Sequence, residues 1–176
     1  MSDHELGRAV SIGQLGIEPY DRDLLQPNSY DVTLDRHFLV PLNAELILDT
    51  ADVPHPHMQA IESSSFTLAR GGFALCSTRE VVRLPRDIVG QVEGKSSLGR
   101  LGLLVHVTAG VIDSGFEGHI TLELVNHSPW PIKLHAGMTI AQLCFTRVFP
   151  VQTPYAGRYQ NQRGPVESRY AGVDRG

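Results

Sequence analysis

The sequence predicts a mainly β protein, folded as a sandwich or barrel, with one short helix at its N-terminus. Short apolar runs recur along the chain and are separated by turn residues, which are plentiful at 17 Gly and 11 Pro in 176 residues. Hydrophobic residues make up 41% of the chain, which is enough to build a core, and the length fits one domain. We assign residues 1–152 to a β domain and residues 153–176 to a tail whose polar composition predicts mobility.

The first elements are predicted from local patterns. Ser2 and Glu5 have the spacing of a capping box, the apolar residues that follow share one helical face, and Gly13 is a suitable stop. A turn at Gln26–Ser29 leads into a strand at Tyr30–Asp35, where apolar and polar residues alternate.

The middle and end of the chain are read in the same way. Thr50–Ser65 is predicted as a loop, and its residues His55 and His57 are too weak a pattern for a metal site. Further short strands are predicted at Phe66–Ala69, Phe73–Thr78, Val81–Leu84, Ile88–Val92, Leu103–Val107, Ile120–Val125, Ile132–Leu134 and Met138–Val148.

Composition excludes several classes of function. The formal net charge of -4 provides no basic surface for nucleic acid. The chain has no signal peptide and no apolar run long enough to span a membrane. Cys76 and Cys144 lie far apart in apolar runs, as reduced core cysteines do, so we expect a cytoplasmic protein.

A carboxylate inside an apolar run marks the stretch Gly90–Asn126. Alternation over Ile120–Val125 places Glu123 on the face opposite the apolar side chains. A charge in such a run is costly unless it is paired or has a function. An ordinary solvated face of an edge strand fits the pattern equally well.

The same stretch begins with the turn Gly94–Arg100, which contains two hydroxyls and two cations. If a helical turn starts near Ser96, its free N–H groups form an anion site that Arg100 also reaches. The order of Gly, Lys and Ser differs from that of a Walker A loop. A capped surface turn with solvated cations is the alternative.

The run GKSSLGRLGLLVHVTAGVIDSGFEGHITLELVN, taken whole, closely resembles the dCTP deaminase family of the dUTPase superfamily. The resemblance extends to LQPNSYDVTLD, GMTIAQL and RYQNQRGPVESR, and so covers most of the chain. It implies a distorted jelly-roll, dUTPase-like all-β fold, assembled as a homotrimer with active sites at subunit interfaces. It also implies that the tail closes over bound nucleotide.

Within that family the chain looks most like the bifunctional, dUMP-forming branch. One-reaction deaminases usually carry a bulkier residue where Gly110 stands. The implied activity is deamination of dCTP and cleavage of the resulting dUTP to dUMP and diphosphate, which supplies dUMP for thymidylate synthesis. A deaminase that releases dUTP, or a non-catalytic nucleotide-binding regulator, are the alternatives. The family usually has Pro at Ser114, so this residue is expected to loosen the turn around Asp113.

The deamination chemistry needs a proton shuttle. The zinc route is excluded, because the chain has neither H-x-E nor C-x-x-C. A zinc-free route needs a carboxylate, and Glu123 aligns with the family's catalytic glutamate. Ser96 and Arg100 match the residues that orient water and substrate, and backbone groups of Val107 and Ala109 match those that read the pyrimidine.

The phosphate chemistry is implied by GVIDSGFEG, which resembles the third dUTPase motif. There Asp113 would orient the attacking water, or it simply caps a turn, and Phe116 would pack on the deoxyribose. Mg²⁺ is expected on the triphosphate rather than on a protein metal site, and dTTP is expected as an inhibitor. The remaining substrate contacts implied by the resemblance are Lys95, Ser97, Gln142, Tyr155, Arg158, Tyr159 and Gln162.

Overall fold

This computed structural model describes residues 1–42, 47–49 and 57–170. Over these ranges the chain forms two short helices, one 3-10 turn at Arg22–Leu24 and eleven strands. The helices are α1 (Asp3–Ser11) and α2 (Ser96–Gly99). The strands are β1 (Gly16–Glu18), β2 (Tyr30–Pro41), β3 (Met58–Glu62), β4 (Ser65–Leu68), β5 (Phe73–Arg83), β6 (Ile88–Gly94), β7 (Leu103–Leu104), β8 (Val111–Ile112), β9 (Glu117–Asn126), β10 (Ile132–His135) and β11 (Thr139–Arg147).

Nine of these strands form one antiparallel sheet. Its order is β7-β9-β5-β2-β11-β6-β8, with β1 added to β5 and β3 added to β2, while β10 and β4 form a separate pair. The pairing of β5 changes register against both of its long neighbours. Against β2 the shift lies between Leu34 and Phe38 of β2, and against β9 it lies between Ser77 and Val81 of β5. Such irregularities bend a sheet. The predicted mainly β fold with one N-terminal helix is confirmed.

The N-terminal helix begins as predicted. The Ser2 side chain accepts a hydrogen bond from the Glu5 amide at 3.3 Å, and Leu6 and Ala9 are buried against the sheet. The helix ends at Ser11, and Gly13 follows with a φ of 73°. The cap and the apolar face therefore direct the helix onto the core.

Several predicted elements differ from the structure. The strand predicted at Leu103–Val107 ends at Leu104, the strand predicted at Tyr30–Asp35 continues to Pro41, and β1 and β8 were not predicted. Met58–Glu62, predicted as loop, is strand β3 and pairs with residues 37–41 of β2. The loop's other residues include His55, which lies outside the described residues. The two predicted runs Phe73–Thr78 and Val81–Leu84 are one strand, β5. The polar residues in the middle of β5 find hydrogen-bond partners within the strand itself: the Thr78 hydroxyl donates to the Glu80 carbonyl at 2.7 Å.

The two cysteines are free thiols, as expected for reduced core residues. Cys76 is fully buried, and burial raises the pKa of its thiol to about 12. Cys144 is only partly buried on β11. No helix in the described part of the chain is long and apolar enough to cross a membrane.

A buried carboxylate lies where β2 and β5 meet. Glu80 is 2% exposed, and its two oxygens accept hydrogen bonds from the Thr33 amide at 2.9 Å and the Thr33 hydroxyl at 2.7 Å. Burial raises the pKa of Glu80 above its ordinary value, although both hydrogen bonds act in the opposite direction. The folded chain therefore binds a proton at Glu80 more readily than the unfolded chain does.

This gives a prediction for Glu80→Gln. A raised pKa means that the stabilising contribution of Glu80 is present below its unfolded-state pKa and is lost as the pH rises through its folded-state pKa. We therefore expect the Tm of the parent to fall relative to that of the variant as the pH rises from about 4 to 7. Thermal denaturation at fixed protein concentration measures this, with Glu62→Gln, at an exposed carboxylate, as the control. A constant Tm difference across this range would contradict the assignment.

Candidate active site

A cavity of about 670 Å³ is lined by β5, β6, β9, the loop that joins β7 to β8, and the C-terminal tail, here residues 153–170. Its size lies within the range of about 300–1,000 Å³ usual for sites that bind small molecules. Eight of the predicted site residues line it: Val107, Ala109, Asp113, Phe116, Glu123, Tyr155, Tyr159 and Gln162.

Glu123 faces this cavity from the middle of β9. The strand alternates as predicted, with Ile120, Leu122 and Leu124 buried and Glu123 half-buried on the other face. On one side β9 pairs with β5, where Leu75 lies opposite Glu123. On the other side the Val107 amide donates a hydrogen bond to Glu123 Oε2 at 2.8 Å. The carboxylate is therefore held in place on a cavity wall, rather than on the solvated face of an edge strand.

The loop that supplies this amide is pressed against β6. The Val92 amide donates to the Gly110 carbonyl at 2.7 Å. A Cβ added to Gly110 would lie 3.0 Å from the Val92 carbonyl oxygen and 3.4 Å from Cε1 of His106. A side chain at Gly110 would therefore push the loop away from β6, and with it the amide of Val107 that contacts Glu123.

Asp113 lies at the boundary between two cavities. It lines the larger one and also a second of about 520 Å³, formed with residues at the root of the tail. Its carbonyl accepts a hydrogen bond from the Phe116 amide at 3.1 Å, which closes the turn between β8 and β9. Phe116 is buried, and its ring lies 5.8 Å from that of Tyr155, centroid to centroid. The turn therefore joins the cavity to the tail.

The tail lies along β9 and forms one wall of the cavity. The Asn161 amide donates to the Glu117 carbonyl at 2.7 Å, and the His119 amide donates to the Gln162 carbonyl at 3.2 Å. Gln162 Nε2 also donates to the His119 carbonyl at 2.6 Å, while its Oε1 is buried without a partner. Arg158 is bonded within the tail, to the Arg169 carbonyl at 2.6 Å, and does not line the cavity.

The other predicted residues lie elsewhere in the chain. Ser96, Ser97 and Arg100 are exposed in and beside the four-residue helix α2, and none of them lines the cavity. Lys95, which precedes this helix, forms an ion pair with Asp31. Gln142, the β-sheet partner of Asp31 on β11, is also outside the cavity lining. One chain therefore brings together only part of the predicted site.

Two further residues belong to this region, of which only Thr121 was missed from the sequence. Asp31 lies in LQPNSYDVTLD, which the family resemblance places beside the active site, although a polar strand face fitted Asp31 at least as well. It is 5% exposed, its Oδ1 has no partner while Oδ2 contacts Lys95, and the burial of β2 on both sides excludes the polar strand face. Thr121 lines the cavity beside Glu123, and its hydroxyl accepts a hydrogen bond from the Val166 amide at 3.3 Å. The period of two that singled out Glu123 places Thr121 on the same face.

Metal-binding side chains are not clustered in the described residues. No group of three or more His, Cys, Asp or Glu among residues 1–42, 47–49 and 57–170 could hold a metal ion. Carboxylates nevertheless line the cavity at Asp113, Glu123 and Glu167. The lining therefore combines three carboxylates with the exposed loop before β8 and aromatic rings.

Comparison with known proteins gives close sequence relatives and more distant structural ones. A protein of Thermobifida fusca (strain YX) named dCTP deaminase, dUMP-forming, is 48% identical over 179 aligned positions, which cover 96% of this chain and 91% of that protein.

Among solved structures, the 2'-deoxycytidine 5'-triphosphate deaminase from Agrobacterium tumefaciens superposes with a TM-score of 0.66 at 22% identity, covering 85% of this chain and 46% of that one. A point mutant of the dUTPase from phage phi11 of S. aureus superposes with a TM-score of 0.51 at 15% identity, covering 82% of this chain and 95% of that one. At these identities the likeness concerns the fold alone, and the predicted dUTPase-like fold is confirmed.

The family model described as dCTP deaminase-like matches residues 1–148, from the N-terminal helix to the end of the last strand. The matched region contains the Glu123 strand, the loop that holds its carboxylate and the Asp113 turn. The chain belongs to the dCTP deaminase-like family.

Proposed function

We propose that this chain is a hydrolase that deaminates dCTP and then cleaves the resulting dUTP to dUMP and diphosphate. The observation that carries the proposal is that Glu123 and Asp113 face one cavity, Glu123 on β9 and Asp113 on the turn before it. The relative at 48% identity, whose name states a dUMP-forming dCTP deaminase, supports the same pair of reactions. The product, dUMP, is the substrate of thymidylate synthesis.

Deamination replaces the amino group at C4 of cytosine by oxygen. Water adds to C4, the ring nitrogen N3 gains a proton, and ammonia leaves, so that the carbonyl of uracil remains. Glu123 takes one proton from the attacking water and delivers it to N3, then takes the second from the new hydroxyl on C4 and delivers it to the leaving amino group. Because Oε2 is held by the Val107 amide at 2.8 Å, the carboxylate is oriented and Oε1 remains available to water. Val107 and Ala109 are exposed residues that line the same cavity, and their backbone groups would read the pyrimidine edge.

Cleavage of dUTP occurs at the other end of the nucleotide. Water attacks the α-phosphorus, the bond to the oxygen that bridges to the β-phosphorus breaks, and diphosphate leaves. Asp113 orients this water and accepts its proton, while Phe116 packs against the deoxyribose. The tail residues Tyr155, Tyr159 and Gln162, already on the cavity wall, cover the nucleotide.

Mg²⁺ fits this cavity as a partner of the nucleotide. The described residues contain no cluster of three protein ligands, and one exposed carboxylate, Asp113, lies at the boundary of the two cavities. The triphosphate oxygens would therefore hold the ion, which reduces the negative charge on the triphosphate when bound.

A second copy of the chain completes the site in this proposal. Ser96 and Arg100, which match residues that orient water and substrate, are exposed on α2 and outside the cavity that holds Glu123. Lys95 and Gln142 cluster with them, around Asp31. A homotrimer in which α2 of one subunit faces the cavity of the next brings the two groups together. Arg100 then pairs with Glu123 across the interface.

Further parts of the proposal concern regulation and location. The cavity that admits deoxyuridine nucleotides also accommodates dTTP, which we propose as an inhibitor. A cytoplasmic location is supported by the free thiols of Cys76 and Cys144. A deaminase that stops at dUTP is the alternative activity, and the product of a dCTP reaction distinguishes the two.

Glu123→Gln should abolish deamination and leave nucleotide binding nearly intact. Glutamine preserves the shape and the hydrogen bond from Val107, but it cannot carry a proton. Ammonia release from dCTP and calorimetric binding of dCTP are the two measurements. Deamination within about tenfold of the parent rate, equivalent to about 1.4 kcal/mol of barrier, would exclude Glu123 as the base.

Mixing two inactive variants tests the shared site. Arg100→Ala and Glu123→Gln should each be inactive alone, and random mixed assemblies of equal amounts should recover about a quarter of the parent activity, because a quarter of the interfaces combine two intact contributions. Co-refolding followed by a dCTP assay measures this. The matched control mixes Arg100→Ala with Ser96→Ala, which damage the same contribution and should stay inactive. No recovery in the first mixture would place the whole site in one chain.

Asp113→Asn should slow release of diphosphate more than deamination. Asparagine preserves the turn but cannot accept the proton of the attacking water. With dCTP and Mg²⁺, the variant should accumulate dUTP while the parent releases dUMP, as followed by a chromatographic time course. If the parent itself ends at dUTP, the second reaction is excluded. If the parent forms dUMP and the variant's product ratio is unchanged, the role of Asp113 is wrong.

A further inference from the structure

Ser114 connects three segments of the chain at the edge of the cavity. It is 7% exposed, and its hydroxyl donates a hydrogen bond to the Ile88 carbonyl, at the start of β6, at 2.8 Å. Its own carbonyl accepts a hydrogen bond from the Tyr155 amide in the tail, also at 2.8 Å. One residue therefore links the turn to β6 and to the tail.

The neighbouring Asp113 depends on this turn for its position. Its side chain is exposed, and within the described residues its carboxylate makes no hydrogen bond or ion pair. Nothing but its own backbone fixes the carboxylate where the two cavities meet. The nearest side-chain anchor along the turn is the hydroxyl of Ser114. Sequence resemblance had suggested that a serine here loosens the turn, whereas the hydroxyl is bonded and buried.

The tail is packed tightly on the other side of the turn. Gly115 has a φ of 96°, and a Cβ there would lie 2.5 Å from Cβ of Pro154 and 2.9 Å from the Tyr155 amide nitrogen. The Phe116 and Tyr155 rings are in contact beside it. A shift of the turn would therefore move the tail as well, and a shift of the tail would move the turn.

We infer that Ser114 is a positioning residue for the second reaction. Its hydroxyl holds the turn against β6, so that Asp113 lies at a fixed place for the attacking water while the tail is docked. Deamination depends less on it, because Glu123 is fixed separately by the Val107 amide. This inference rests on the proposed cleavage of dUTP.

The test compares Ser114→Ala, which removes the hydroxyl, with Ser114→Thr, which keeps it. Ser128→Ala is the matched control, since Ser128 is 5% exposed and donates to the Trp130 carbonyl at 2.7 Å, away from the cavity lining. Rates are measured separately with dCTP for ammonia release and with dUTP for diphosphate release, both with Mg²⁺. Hydrogen exchange of the Tyr155 amide provides a readout that does not depend on activity.

We expect Ser114→Ala to lower kcat for dUTP cleavage about tenfold, which is a barrier change of the same size as the net stability contribution of one hydrogen bond, and to change deamination by less than about threefold. Exchange at Tyr155 should become faster. Ser114→Thr should have the parent's kcat for dUTP cleavage and the parent's exchange rate at the Tyr155 amide. Ser128→Ala should alter neither the ratio of the two reaction rates nor the exchange rate at Tyr155.

Two results would overturn the inference: an unchanged ratio of the two rates in Ser114→Ala, whether both fall equally or neither falls, or the same selective loss in Ser114→Thr. A parent that does not cleave dUTP at all would instead refute the proposed function. In that case, faster hydrogen exchange of the Tyr155 amide in Ser114→Ala would still support the role of Ser114 in anchoring the tail. Unchanged exchange would exclude that role too.

Discussion

The register between β5 and β9 determines both the core and the cavity. With Leu75 opposite Glu123, the residues Ile120, Leu122 and Leu124 point into the core and Glu123 points into the cavity. Because side chains alternate along a strand, a slip of one residue would exchange the two faces, burying the carboxylate among apolar side chains. The hydrogen bond from the Val107 amide to Glu123 is formed only in this register. The position of the loop before β8 therefore depends on the same pairing.

The sequence was a good guide wherever side chains follow a regular period. Alternation correctly predicted the faces of β9, and the spacing of Ser2 and Glu5 correctly predicted the start of α1. It failed at β3, because this strand pairs only with β2 and leaves most of its residues exposed, so its composition resembles that of a loop. It also divided β5 in two, since the polar residues around Glu80 indicate a turn unless their internal hydrogen bonds are known.

The candidate site was predicted only in part for a different reason. Residues of β9, the adjoining turn and the tail meet in one chain, so local patterns and the family resemblance led to the same cavity. The residues near α2 do not reach that cavity within one chain. In the proposed homotrimer they would meet the cavity of a second chain, and no local sequence pattern encodes such a contact. The surroundings of Asp31 were also left open by alternation, which allows a polar strand face: β2 lies between β5 and β11, so its polar side chains are buried and need partners such as Lys95.

The way in which the tail is attached affects how a ligand binds. Its bonds to β9 are largely between backbones, and they need the bare backbone of Gly118, where a Cβ would lie 3.0 Å from the Gln162 carbonyl oxygen. Ordering a free segment costs about 1–2 kcal/mol per residue in backbone entropy. A tail already fixed along β9 avoids most of that loss when a ligand arrives, so affinity depends less on ordering the chain. The corresponding consequence is kinetic: with these backbone bonds in place, a molecule that enters or leaves beneath the tail does so only after they break, so exchange is slowed in both directions.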